Sequence, residues 1–139
     1  MSDESLSRNF SRHEFACRGI NCCGHSAPIS RELVVALQFL RDKVESPLHL
    51  NSGFRCLTHN REEGRPDTSQ HALGMAADVR TPYSMTADAF YAMADSIPAF
   101  QGIGRYDWGL HVDVRNATHA RWDERLRSLM PSGHPASTC

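Results

Sequence analysis

The ten residues Ser69-Gln70-His71-Ala72-Leu73-Gly74-Met75-Ala76-Ala77-Asp78 constrain this chain more than any other stretch. They hold one imidazole and one carboxylate, separated by six mostly small or apolar residues. Forty residues after His71 comes a second polar cluster in an apolar setting, Leu110-His111-Val112-Asp113-Val114. His71, Asp78 and His111 can together offer two nitrogens and one oxygen to a single ion. Three protein ligands with an open fourth position make a catalytic zinc site, whereas structural zinc sites are closed by four.

The pattern around these clusters predicts an α+β domain. Ser30 is placed to cap a helix over 31–45, where Leu33, Val34, Leu37, Leu40 and Val44 recur at helical spacing. Pro47 ends it. Leu48-His49-Leu50-Asn51 alternates and reads as a short strand running into Ser52-Gly53-Phe54-Arg55, with His49 on a strand face. Residues 57–68 are polar, contain Gly64 and Pro66, and read as a loop. Met75 to Arg80 reads as a buried strand delivering Asp78. Ala87, Phe90, Met93, Ala94 and Ile97 mark a second helix over about 85–97. Gly102 to Val114 reads as a hairpin turning near Asp107-Trp108-Gly109. Residues 119–130 read as a last helix or an irregular arm. Near the start, Ser11 and Glu14 form a capping pair, and Phe10 and Phe15 flank it as a staple would. The expectation is a small, largely antiparallel sheet with flanking helices in one domain over 10–130, between a disordered start (1–9) and a disordered tail (131–139).

Composition narrows the function. The chain has 139 residues, enough for one domain with a real core. Its formal net charge of −1 gives no basic field for nucleic acid or an anionic membrane. No apolar run approaches the ~20 residues of a membrane span, and the acidic, polar start is not a secretory signal. Synthesis in the cytoplasm is expected, with export or release needed for work outside it. A monomer is the default. Of five cysteines, Cys17, Cys22 and Cys23 cluster beside His25. With Cys56 they could form a second, structural zinc site, but the spacing lacks the usual Cys-x-x-Cys pairs. Reduced thiols or one local disulfide is the plainer reading. Cys139 lies in the tail.

Along Leu110 to Val114 side chains alternate, so His111 and Asp113 share one face. Asp113 can then orient His111 from behind. Taken alone, a His-x6-Asp pair is a weak signal, and His111 by itself reads as a core histidine.

A wider pattern gives these residues more weight. Ser-Gly-Phe-Arg at 52–55, Ser-x-His-x-x-Gly-x-Ala-x-Asp from Ser69 to Asp78, and Gly-Ile-Gly…His-Val-Asp from Gly102 to Asp113 occur in the order of a known family. The chain resembles the zinc D-Ala-D-Ala carboxypeptidases and L-alanyl-D-glutamate endopeptidases of bacterial cell-wall enzymes and phage endolysins, over about Phe10 to Trp122. The resemblance implies the fold shared with the hedgehog signalling domain and one catalytic zinc ion on His71, Asp78 and His111. It implies that Arg55 pairs with substrate carboxylate or the oxyanion and that Ser69 lies near the substrate. Many relatives place a catalytic acid or histidine two or three residues before the last ligand, where this chain has Gly109 and Trp108. Asp107 is then the candidate general base. The implied function is hydrolysis of peptidoglycan stem peptides. The alternative is a non-catalytic zinc-containing module that binds a cell-wall peptide or a protein. A phage virion or lysis component relying on fusion partners is a third reading.

Overall fold

The computed structural model describes residues 4–19 and 28–125. Cys22, Cys23, His25, Cys139 and the expected tail lie outside the described residues.

The first helix follows the apolar spacing. α1 (Arg31–Val44) starts where the Ser30 hydroxyl accepts the Leu33 amide at 3.3 Å. It buries Leu33, Val34, Leu37, Leu40 and Val44 along one stripe. α3 (Ala87–Asp95) starts in the same way, with Thr86 Oγ1 accepting the Ala89 amide at 3.1 Å. Each such cap contributes roughly 1 kcal/mol. α1 and α3 pack on one another and bury Phe90 and Ala94 with the α1 stripe.

Five strands form the main sheet: β3 (Leu50–Ser52), β4 (Ala76–Arg80), β5 (Gly102–Tyr106), β6 (Gly109–Asp113) and β7 (Ala120–Asp123), in the order β3-β4-β6-β5-β7. All pairings are antiparallel except β5 with β7. Strand alternation divides the chemistry between two faces. Ala77, Val79, Ile103, Leu110 and Val112 join the apolar core with the helices. Asp78, His111 and Asp113 point the other way and are buried all the same. The β5–β6 hairpin turns at Asp107-Trp108, and Gly109 enters β6 at φ 155°, where a Cβ would strike the Val79 carbonyl.

Three expected segments differ. Within the start read as disordered, Ser5–Ser7 forms β1 and pairs antiparallel with β2 (Phe10–Ser11). Gln38 on α1 ties this ribbon down by bonding Ser7 Oγ at 2.7 Å and the Asn9 amide at 2.9 Å. Within the polar loop, Leu57–Glu62 is a helix, α2. It has no apolar stripe; its one buried residue is Asn60, which donates to the Pro66 carbonyl at 2.7 Å. Polar bonds hold α2, so hydrophobic periodicity could not reveal it. Residues 120–123, read as helix or arm, form strand β7 beside β5, half-buried and charged at alternate positions as suits an edge strand. The Ser11–Glu14 pair does open a helix, the short 3-10 turn Arg12–Phe15. There the Ser11 amide donates to the Glu14 carboxylate at 2.7 Å.

Candidate metal centre and its cleft

Asp78 and His111 are direct partners across the β4–β6 ladder, so their side chains leave the sheet side by side. His71 arrives from the loop before β4. Gly74, at φ 73°, lets that loop turn, and a Cβ there would collide with the Pro28 carbonyl. The ligating atoms of His71, Asp78 and His111 all lie within 4.8 Å of one another, and all three residues are buried.

Hydrogen bonds fix what each imidazole presents. The His71 Nδ1–H donates to the Gly53 carbonyl at 2.7 Å, so Nε2 carries a lone pair facing Asp78 Oδ1 at 3.2 Å. His111 is turned the other way round. Its Nε2–H donates to Asp113 Oδ2 at 2.6 Å, leaving the Nδ1 lone pair 3.3 Å from the same Asp78 oxygen. Two lone pairs and a carboxylate oxygen therefore converge in a dry place. Without a cation or added protons such acceptors repel, and desolvation sharpens the cost. Two neutral imidazoles and a carboxylate, each imidazole backed by an acceptor, form a donor set that fits zinc.

Burial alone would raise the Asp78 carboxyl, but His71 and His111 in their protonated forms outweigh it and hold its pKa well below the usual range; the site thus favours positive charge beside Asp78. Asp113 is also buried, yet Arg115 and His111 keep it well below as well. Arg115 grips both carboxylate oxygens of Asp113 at 2.8 and 2.7 Å, so a fixed anion stands behind His111.

The Gly-Ile-Gly of β5 has a steric meaning here. A Cβ at Gly102 would strike the Asp113 carboxylate, and one at Gly104 would strike the Trp122 indole. The two glycines make room for the carboxylate behind His111 and for Trp122, whose ring centroid lies 5.2 Å from that of His111. Trp122 is pinned by donating to the Tyr106 hydroxyl at 2.9 Å.

Asp78 reaches the surface in a cleft of about 410 Å³ lined by Arg18, Asn51, Ser52, Arg55, His59, Glu63, Asp78 and Trp108. Arg55 is buried in its wall. It holds Glu63 at 3.1 Å and lies 3.9 Å from Asp78 Oδ2, on the side away from the imidazoles. Glu63 also meets His59 Nε2 at 3.4 Å. Asp107 is exposed on the β5–β6 turn; its neighbour Trp108 lines the cleft and stacks on Tyr106 at 5.0 Å. Ser69 is buried outside the lining, and its hydroxyl has no hydrogen-bond partner among the described residues. His59 and Glu63 were missed by the sequence reading because the first lies on α2 and the second caps its C-terminal end. The Cys56 amide donates to Cys17 Sγ at 3.4 Å, so these two cysteines adjoin.

A family model described as Peptidase M15 matches residues 8–114, which include the three converging ligands and the whole cleft lining. No curated protein matches the chain.

Proposed function

The chain belongs to the peptidase M15 family, and from that premise we propose that it is a zinc-dependent hydrolase of peptide bonds in peptidoglycan stem peptides. The reaction is of the D-Ala-D-Ala carboxypeptidase or the L-Ala-D-Glu endopeptidase type. One observation carries the reading. The lone pairs of His71 and His111 and a carboxylate oxygen of Asp78 converge beside an open polar cleft.

One zinc ion held by His71, Asp78 and His111 would supply a water of lowered pKa, toward ~7, and polarise the scissile carbonyl. The chain's own groups supply the rest. Gly53 and Asp113 keep the two imidazoles in the tautomer that points a lone pair inward. Arg55 fixes Asp78 from behind and presents cationic charge to the oxygen that becomes negative as the amide is attacked. Ser69 is retained as a residue near the substrate on the strength of the family motif alone, because its hydroxyl is buried outside the cleft lining.

For the proton, two groups compete. Asp107 is exposed on the turn, whereas the His59–Glu63 pair lines the cleft. We assign the step to the pair. His59 takes a proton from the attacking water and returns it to the leaving amine, and Glu63 orients the ring. What favours this assignment is that His59 and Glu63 line the cleft beside Asp78 and Asp107 does not.

Digestion of purified peptidoglycan by zinc-loaded protein, read by mass spectrometry beside His71→Ala, tests the proposal. Loss of terminal D-Ala identifies a carboxypeptidase; release at L-Ala identifies an endopeptidase. His71→Ala should lose both zinc and product. Full activity in a zinc-free variant would sink the mechanism. No product, with about one zinc still held per chain, would instead favour the binding module.

A further inference from the structure

The cleft contains one cation that the proposed chemistry does not use. Arg18 lies just after the 3-10 turn, exposed on the cleft wall. Its Nη2 donates to two backbone carbonyls, Glu14 at 3.0 Å and Leu50 at 3.4 Å. No carboxylate among the described residues pairs with it. Arg55, the arginine singled out by the sequence, is in the opposite condition: buried, tied to Glu63 and close to Asp78. The guanidinium best suited to a ligand's charge is therefore Arg18.

Its surroundings are fitted. A Cβ at the next residue, Gly19, would run into the His59 ring, so the segment bearing Arg18 is pressed against α2. A Cβ at Gly53 would run into the Phe15 backbone, so β3 and the 3-10 turn are equally close. The two carbonyl bonds hold the guanidinium in place and leave Nη1 and Nε as donors. Asn51 and Ser52, on β3, line the same cleft, and their side chains make no hydrogen bond among the described residues. With Nη2 committed to the carbonyls, the remaining guanidinium N–H groups stand beside an amide and a hydroxyl, so a carboxylate would meet a charge-assisted N–H bond and two neutral polar groups.

We infer that Arg18, with Asn51 and Ser52, is the receptor for a free carboxylate of the bound peptide, and that it makes the cleft selective for carboxylated over amidated stem peptides. This rests on the peptidase reading for the identity of the peptide. A stem peptide offers two such groups, the D-Glu carboxylate and the C-terminal one, and the test separates them.

The probe is L-Ala-D-Glu-L-Lys-D-Ala in three forms: free, amidated at D-Glu, and amidated at the C-terminus. Binding to zinc-loaded protein is followed by stopped-flow tryptophan fluorescence, for which Trp108 in the cleft is the reporter. Losing a charge-assisted bond should weaken one amidated form about tenfold or more in the wild type. Arg18→Gln should bind all three forms equally weakly. Arg18→Lys, which keeps the charge without the planar guanidinium, should retain part of the preference. The thermal midpoint of Arg18→Gln is measured alongside, because Arg18 also ties the 3-10 turn to β3. A lowered midpoint with the preference intact would make Arg18 a structural tie and overturn the inference. A wild type indifferent to both amidations would overturn it too. Selective binding without hydrolysis defeats the peptidase reading and leaves the receptor standing, whereas hydrolysis without selectivity does the reverse.

Discussion

The centre of the sheet and the wall of the cleft are built on different principles. At the centre, β4 and β6 hold Asp78 and His111 as ladder partners, backed by Asp113 and Arg115 and sealed by Trp122. His71, Asp78, His111 and Asp113 are all buried there, and each is fixed by at least one neighbour. The wall consists of α2, the end of β3 and the segment after the 3-10 turn. Of its charged groups, Arg18, His59 and Glu63 are only partly covered, while Arg55 is buried. Bonds to backbone carbonyls and to Asn60 hold it, with little apolar packing. The centre is thus suited to fixing an ion, and the wall to meeting a variable ligand. A change at the centre should cost structure as well as function, and a change at the wall should cost function alone.

The sharpest way to break that contrast is through the wall. His59→Gln should lower kcat about 10²-fold, with the thermal midpoint and zinc content unchanged. Asp107→Asn, on the exposed turn, should leave kcat near the wild-type value. Should Asp107→Asn cause the larger loss, the proton-carrying group belongs to the hairpin turn and not to the wall. The centre gives the complementary test. Gly102→Ala forces a methyl against the buried Asp113 carboxylate. It should cost about 1–3 kcal/mol in urea unfolding and weaken zinc binding, because Asp113 orients His111. An unchanged zinc affinity would mean that the carboxylate behind His111 is dispensable.

The smallest effect is expected at the sheet's far edge. Asp123 on β7 is held down to about 2, mainly by its hydrogen bond to Arg125. Its folded pKa lies below the unfolded value, so the stabilisation is present above about pH 4 and is lost as pH falls toward 2. The pair is solvent-screened, and Asp123→Asn should remove only a few tenths of a kcal/mol at neutral pH. Denaturant titrations at pH 7 and pH 2.5 check this: the two proteins should differ at the first and converge at the second.

The same division explains what could be read from the sequence. Each candidate residue of the centre announced itself locally: His71 and Asp78 within one ten-residue stretch, His111 and Asp113 by alternation along a strand. Alternation requires only a strand, and the β4–β6 register then brings the ligands together. The glycines of the Gly-Ile-Gly element could be seen but not interpreted, because their purpose depends on Asp113 and Trp122 from other strands. The wall was unreadable for a different reason. α2 buries an asparagine, which leaves no apolar period. Arg18 gains its role from carbonyls at 14 and 50 that no spacing rule connects to it. Asp107 was expected beside the cleft because the hairpin turn was correctly placed, but at that turn it is Trp108 that lines the cleft.

The pairing of Asp78 with His111 has a kinetic consequence. β4 and β6 are joined through the 28 residues 81–108, so their docking is a slow, non-local step in assembling the chain. A slip of one residue would send every side chain of the displaced strand to the opposite face. Asp78 and His111 would then no longer project together, and the three donors could not close on one ion. An ion that needs all three therefore binds only the correctly zipped sheet and drains the misaligned population by mass action. In refolding, a metal held by these three residues would act as a proofreader of strand alignment.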